Sequence, residues 1–154
     1  MTKVASPEVS KGFTGGCRCG AVRYAFPQPL FMGLCYCRDC QHSTGTSHAP
    51  VIAVLSETLD FTGTVRWYDG QSACGNKVQR GFCVECGTPL IGRLEKNPGA
   101  NAILAGTLDN PSLFQPAFAM WTASAPSWVT IDHNLPSFQE QPPETGAMYD
   151  SIRR

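Results

Sequence analysis

Cysteine is the residue type whose spacing carries the most chemistry here. Of the 8 cysteines in 154 residues, seven fall into three tight groups: Cys17 with Cys19, then Cys35, Cys37 and Cys40, then Cys83 with Cys86; Cys74 stands alone. A disulfide framework spreads its cysteines so that bridges tie distant segments together. Closely spaced thiols instead present several ligands to one ion. Four thiolates close the tetrahedral shell of zinc, whereas three leave a position for water or substrate. The groups therefore divide into a closed structural site, Cys17, Cys19, Cys83 and Cys86, and an open site, Cys35, Cys37 and Cys40. Other partitions crowd five thiolates around one ion or leave a pair too weak to hold one. Glycines at 15, 16, 20 and 87 flank the pairs and let the backbone turn tightly around an ion.

The triple is where catalysis would reside. Three thiolates offset most of the charge of a zinc ion, which weakens its power to acidify water but still lets it hold an incoming thiol as the nucleophilic thiolate. His42, His48 or Cys74 could instead fill the fourth position and close the site. Cys74, between Ala73 and Gly75, reads as a spare loop thiol, and His133 as surface polarity in a turn. Trp67, Trp121 and Trp128 read as core packing, one of them available to line a pocket.

The elements that must position these groups are short. Alternating or apolar β-prone runs span 21–26, 30–34, 50–55, 64–68, 77–82, 90–94, 102–105 and 117–122, with turn residues between them. Single helical turns fit 40–44 and 112–114. Strand spacing of this kind suggests a mainly β fold, a sandwich or small barrel. One domain is expected over 12–138, with a flexible N-terminus at 1–11 and a polar, Pro-rich flexible tail at 139–154.

Composition removes several function classes. Twelve basic and twelve acidic residues give a formal net charge of zero, without the electrostatic footprint of a nucleic-acid binder. No apolar run approaches the roughly 20 residues of a membrane helix. No secretory signal is visible near the start, so a reducing cytoplasm is expected, where metal or catalytic roles for cysteine outrank disulfides.

The segments Gly15-Gly16-Cys17-Arg18-Cys19-Gly20-Ala21-Val22-Arg23-Tyr24, Cys35-Tyr36-Cys37-Arg38-Asp39-Cys40-Gln41, Arg80-Gly81-Phe82-Cys83-Val84-Glu85-Cys86-Gly87-Thr88 and Ala105-Gly106-Thr107-Leu108-Asp109-Asn110-Pro111, with Trp128, occur in the order expected of a known family. The chain resembles the glutathione-dependent formaldehyde-activating enzymes over about residues 12 to 138. The resemblance implies a β-tent of small antiparallel sheets, two zinc ions, a structural ion on Cys17, Cys19, Cys83 and Cys86, and a catalytic ion on Cys35, Cys37 and Cys40. It implies a carbon–sulfur lyase that condenses glutathione with formaldehyde to S-hydroxymethylglutathione, or cleaves it. The same zinc chemistry on another small thiol or aldehyde is an alternative. A non-catalytic binding module is another, since the family includes centromere protein V, but this chain lacks dense basic arms. Two departures stand out: Ala119-Met120 where relatives often carry a histidine, and Gln41 where they often carry a basic residue. No dense cluster for the two carboxylates of glutathione is evident, because Arg18, Arg38, Arg66, Lys77, Arg80 and Arg93 are scattered along the sequence.

Overall fold

The computed structural model describes residues 12–143 and 145. The expected flexible N-terminus at 1–11 lies outside these residues, as do 144 and 146–154. Ten strands and one short helix follow in the order β1 (Phe13–Gly16), β2 (Arg23–Phe26), β3 (Phe31–Cys35), α1 (Arg38–Thr44), β4 (Ala49–Leu55), β5 (Asp60–Thr62), β6 (Val65–Gln71), β7 (Lys77–Cys83), β8 (Pro89–Leu94), β9 (Ala100–Leu104) and β10 (Phe118–Met120). They form a three-stranded sheet, β1-β2-β5, and a seven-stranded sheet, β10-β3-β4-β9-β8-β7-β6. Pairing is antiparallel throughout except for β10, which runs parallel to β3.

The mainly β character matches the expectation from the sequence, and eight strands fall where the apolar runs predict them. The other two, β1 and β5, carry glycine, threonine and aspartate and give no apolar signal. The spacing argument pointed to a sandwich or small barrel. The seven-stranded sheet is instead open, with β6 and β10 at its edges.

Period-2 alternation assigns the two faces of the large sheet different tasks. Ile52 and Ile103 face each other across β4 and β9, and with Val54 they join one buried cluster with Val22, Tyr24 and Phe26 of the small sheet. The small sheet thus packs on one face of the large one. Residues alternating with these, Ala49 and Val51 on β4 with Ala100, Ala102 and Leu104 on β9, line a cavity on the other face. Small side chains there leave the cavity its room.

The segment after β9 is tied to the small sheet by polar contacts. Asp109 accepts two hydrogen bonds from the Arg23 guanidinium, the Nη1–Oδ1 distance being 2.8 Å, and one of 2.7 Å from the Thr14 hydroxyl. Tyr24 Oη meets Thr107 Oγ1 at 2.8 Å, and burial pushes the Tyr24 hydroxyl up to about 12, so it stays protonated. Residues 139–143 and 145, expected to be a flexible tail, are in part pinned. Trp121 and Thr122 donate backbone hydrogen bonds to Glu140 and Phe138 at 3.2 and 3.0 Å, and Pro142 and Thr145 are buried.

Gly15 is required by close approach: a Cβ there would stand 2.2 Å from Tyr24 Oη and 2.4 Å from the Thr107 carbonyl oxygen. Gly106 has open space around it. Urea unfolding should therefore show Gly15→Ala destabilised by about 1–3 kcal/mol and Gly106→Ala nearly unchanged; equal losses would contradict this packing.

Candidate metal centres

The first cysteine cluster joins the two sheets. Cys17 and Cys19 lie in the turn between β1 and β2, while Cys83 ends β7 and Cys86 sits in the turn before β8. Their four sulfurs lie within 4.8 Å of one another, with Cys17 to Cys19 at 3.5 Å and Cys19 to Cys83 at 3.8 Å. Each turn is a tight knuckle. Gly20 N–H donates to the Cys17 carbonyl at 3.1 Å and Gly87 N–H to the Cys83 carbonyl at 2.9 Å, both glycines holding positive φ. Val22 N–H donates to Cys17 Sγ at 3.2 Å. The Thr88 hydroxyl, 3.1 Å from Cys86 Sγ, is the main cause holding that thiol down to about 5. Cys17 and Cys83 are buried while Cys19 and Cys86 are exposed, so an ion held there would have one side in the core and one at the surface.

The second cluster sits where β3 passes into α1. Cys35 ends the strand, Cys37 caps the helix and Cys40 lies in its first turn, and their sulfurs lie within 4.8 Å of one another. The cap is a sulfur: Cys40 N–H donates to Cys37 Sγ at 3.3 Å. Hydrogen bonds from Cys35 and Cys40 bring the Cys37 thiol down to about 3, with a smaller contribution from the nearby Arg80 charge. The hydrogen bond to Cys37 in turn pushes the Cys35 thiol up. In the absence of a cation the triple thus favours one thiolate, at Cys37, and keeps protons on its neighbours. A divalent ion would remove that restriction. Both all-sulfur donor sets, compact and fed by backbone N–H groups, fit zinc.

Among the described residues the triple has no fourth protein ligand. No histidine, carboxylate or further cysteine among them joins it within the same 4.8 Å. His42 is exposed on the far turn of α1, with Nε2 3.2 Å from an Arg38 nitrogen. His48 packs on Tyr36, its ring Nδ1 2.8 Å from Ser47 Oγ. Cys74, exposed in the turn after β6, lines the same cavity but stands outside the cluster.

That cavity, about 980 Å³, has the three cysteines in its wall. Sequence reading found no cationic cluster, yet folding brings Arg80 and Lys96 into its lining, against Asp39 as the one carboxylate among the lining residues. Arg80 lies on β7 and Lys96 just beyond β8, whereas Arg93 of β8 shares the core face with Ile91 and Trp67 and turns its guanidinium there. Arg80 is ion-paired with Asp39, and Arg93 stacks 4.0 Å over the Trp67 ring and donates to Gln79 at 2.7 Å. On one side of the triple the wall is apolar: Met120, opposite Cys35 in the β10–β3 register, packs with Cys35 and Cys37, and Val51 and Trp121 pack against them.

Trp121 is the sole non-glycine residue with positive φ among the described residues, at φ 58 and ψ 35. For a bulky side chain that conformation is strained by about 1–3 kcal/mol. The segment that follows Pro136 holds it. Besides the backbone bond to Glu140, Trp121 Nε1 donates to Gln141 Oε1 at 3.3 Å.

Other residues take different positions from those expected. Gln41 is buried, donating to the carbonyls of Tyr36 and Ser124 at 2.8 and 2.9 Å, so it pins α1 instead of facing a substrate. Trp128, expected in the core, is 74% exposed beside Pro126 and Arg38. Trp67 is half-buried against the core, and His133 is exposed, as expected.

Three comparisons bear on these observations. A crystal structure of a Rhodobacter sphaeroides protein, a Northeast Structural Genomics target, is 22% identical and covers 67% of this chain and 96% of its own, with a TM-score of 0.51. At that identity the likeness speaks for fold alone. Among curated proteins there is no match. The family model described as glutathione-dependent formaldehyde-activating enzyme matches residues 12–124, which include both cysteine clusters and all ten strands. The chain belongs to the glutathione-dependent formaldehyde-activating enzyme family.

Proposed function

We propose that this protein is a zinc-dependent carbon–sulfur lyase that forms or cleaves S-hydroxymethylglutathione from glutathione and formaldehyde. The observation that carries this reading is the three-sulfur cluster with no fourth protein ligand among the described residues, set in the wall of a large cavity. On this reading Cys17, Cys19, Cys83 and Cys86 hold a structural zinc, and Cys35, Cys37 and Cys40 hold a catalytic one. Zinc at the triple would supply a position that keeps an incoming thiol in its thiolate form. The chain's own residues do the rest. Cys37 keeps its charge with help from the Cys40 N–H and Arg80. Arg80 and Lys96, set against Asp39, give the cavity a cationic side that favours a thiol carrying carboxylates, as glutathione does. Met120, Val51 and Trp121 exclude water from the sulfur side, so an aldehyde carbon there meets the thiol rather than solvent.

The two clusters should separate by metal content and stability. Structural zinc contributes on the order of 10 kcal/mol in small domains, comparable to the whole stability of a domain this size. Cys83→Ala should then lose one zinc by elemental analysis and lose its cooperative thermal transition. Cys37→Ser should also lose one zinc yet keep that transition. Loss of the transition in both, or in neither, would contradict the division of labour.

Activity tests the triple. Exchange spectroscopy by NMR on glutathione and formaldehyde should show adduct exchange at least ~100-fold faster with the zinc-loaded protein than without it, and no acceleration with Cys37→Ser. A Cys37→Ser rate equal to wild type would refute the catalytic assignment.

A further inference from the structure

Trp121 is built into the site at a conformational cost that no packing need of β10 explains. The strand ends at Met120, and a glycine would make the same turn without strain. Its backbone N–H is held by Glu140, its indole N–H by Gln141, and Thr122 next to it by Phe138. The side chain so fixed packs against the Cys35, Cys37 and Met120 cluster and lines the cavity that contains the triple. The clamping residues 136–141 lie beyond the stretch 12–124 that the family model matches. Strained non-glycine residues of this kind gather at ligand sites, where the surrounding structure over-determines them.

The chemistry of the wall is uniform. Met120, Val51, Phe31 and Trp121 offer a polarizable thioether, aliphatic carbon and two rings, and Ala119 behind them is fully buried. The cations of the cavity, Arg80 and Lys96, come from β7 and from just beyond β8, so the lining is divided into a charged part and an apolar one. We propose that Trp121 is a specificity-determining residue that forms, with Met120, a subsite for an apolar, planar group attached next to the sulfur. The substrate class is then a thiol, or its aldehyde adduct, whose carbon skeleton at that position is larger and less polar than formaldehyde supplies. The inference rests on the proposed binding of a thiol at the triple and extends it to what that thiol carries.

The test uses two thiols as probes, benzyl mercaptan and 2-mercaptoethanol, titrated calorimetrically into the zinc-loaded protein. Wild type should bind benzyl mercaptan at least ~10-fold more tightly. Trp121→Phe should keep that preference, and Trp121→Ala should bring the two thiols to within about threefold of each other. Intrinsic emission gives a second readout. Benzyl mercaptan should alter tryptophan emission in wild type and leave it unaltered in Trp121→Phe, where Trp67 and Trp128 remain. If Trp121→Ala does not fold, the emission of Trp121→Phe decides alone. Equal weakening of both thiols, no preference in wild type, or an emission change that persists in Trp121→Phe would overturn the subsite while leaving thiol binding intact. Failure of either thiol, and of glutathione, to bind wild type would remove the proposed function and this inference with it.

Discussion

Four sulfurs drawn within 4.8 Å of one another from segments some sixty residues apart cannot all carry charge unaided. Thiolates at that separation repel, so protons or a divalent cation must neutralise them before the two sheets can meet there. The rest of the structure leans on that junction. It fixes the β1–β2 turn against the β7–β8 turn, which sets how the small sheet covers the core face of the large one. With that face sealed by Ile52, Val54, Ile103 and their partners, the opposite face is left free to carry a cavity. Stability and function are thus assigned to opposite sides of one sheet.

The second cluster obeys a different logic. Its three sulfurs come from one short stretch, a strand end, a helix cap and a first helical turn, so local geometry alone assembles them. No long-range closure is needed, and losing the cluster's metal should leave the fold in place. What long-range structure contributes is the surroundings. Arg80 arrives from β7 with Asp39 as its partner, Met120 from β10 in register with Cys35, and Trp121 by way of the segment that runs back alongside β10. An anionic thiol would meet cations on one side and an apolar wall on the other.

Much of this was legible in the sequence, and the gaps have physical reasons. Cysteine spacing revealed both clusters, because ligand sets for one ion leave a local signature that survives without coordinates. Apolar alternation located eight strands but missed β1 and β5, each of which carries a single phenylalanine among Gly, Thr or Asp and so shows no alternation. The cationic lining was hidden because Arg80 and Lys96 reach one cavity only through the pairing of β7 with β8. Trp128 looked like core by residue type, yet ends on the surface. The polar stretch after Phe138 looked like tail, since neither Gln141 nor Pro142 announces that it will clamp a strained tryptophan.

The central claim is that the Cys35, Cys37 and Cys40 cluster holds an ion with one position open to a thiol. Zinc K-edge absorption of the loaded protein, recorded with and without glutathione, tests it most directly. The account predicts one additional sulfur neighbour per chain when glutathione is added, and its absence in Cys37→Ser. A sulfur count that does not change, or a nitrogen donor already completing the second site before glutathione arrives, would contradict it.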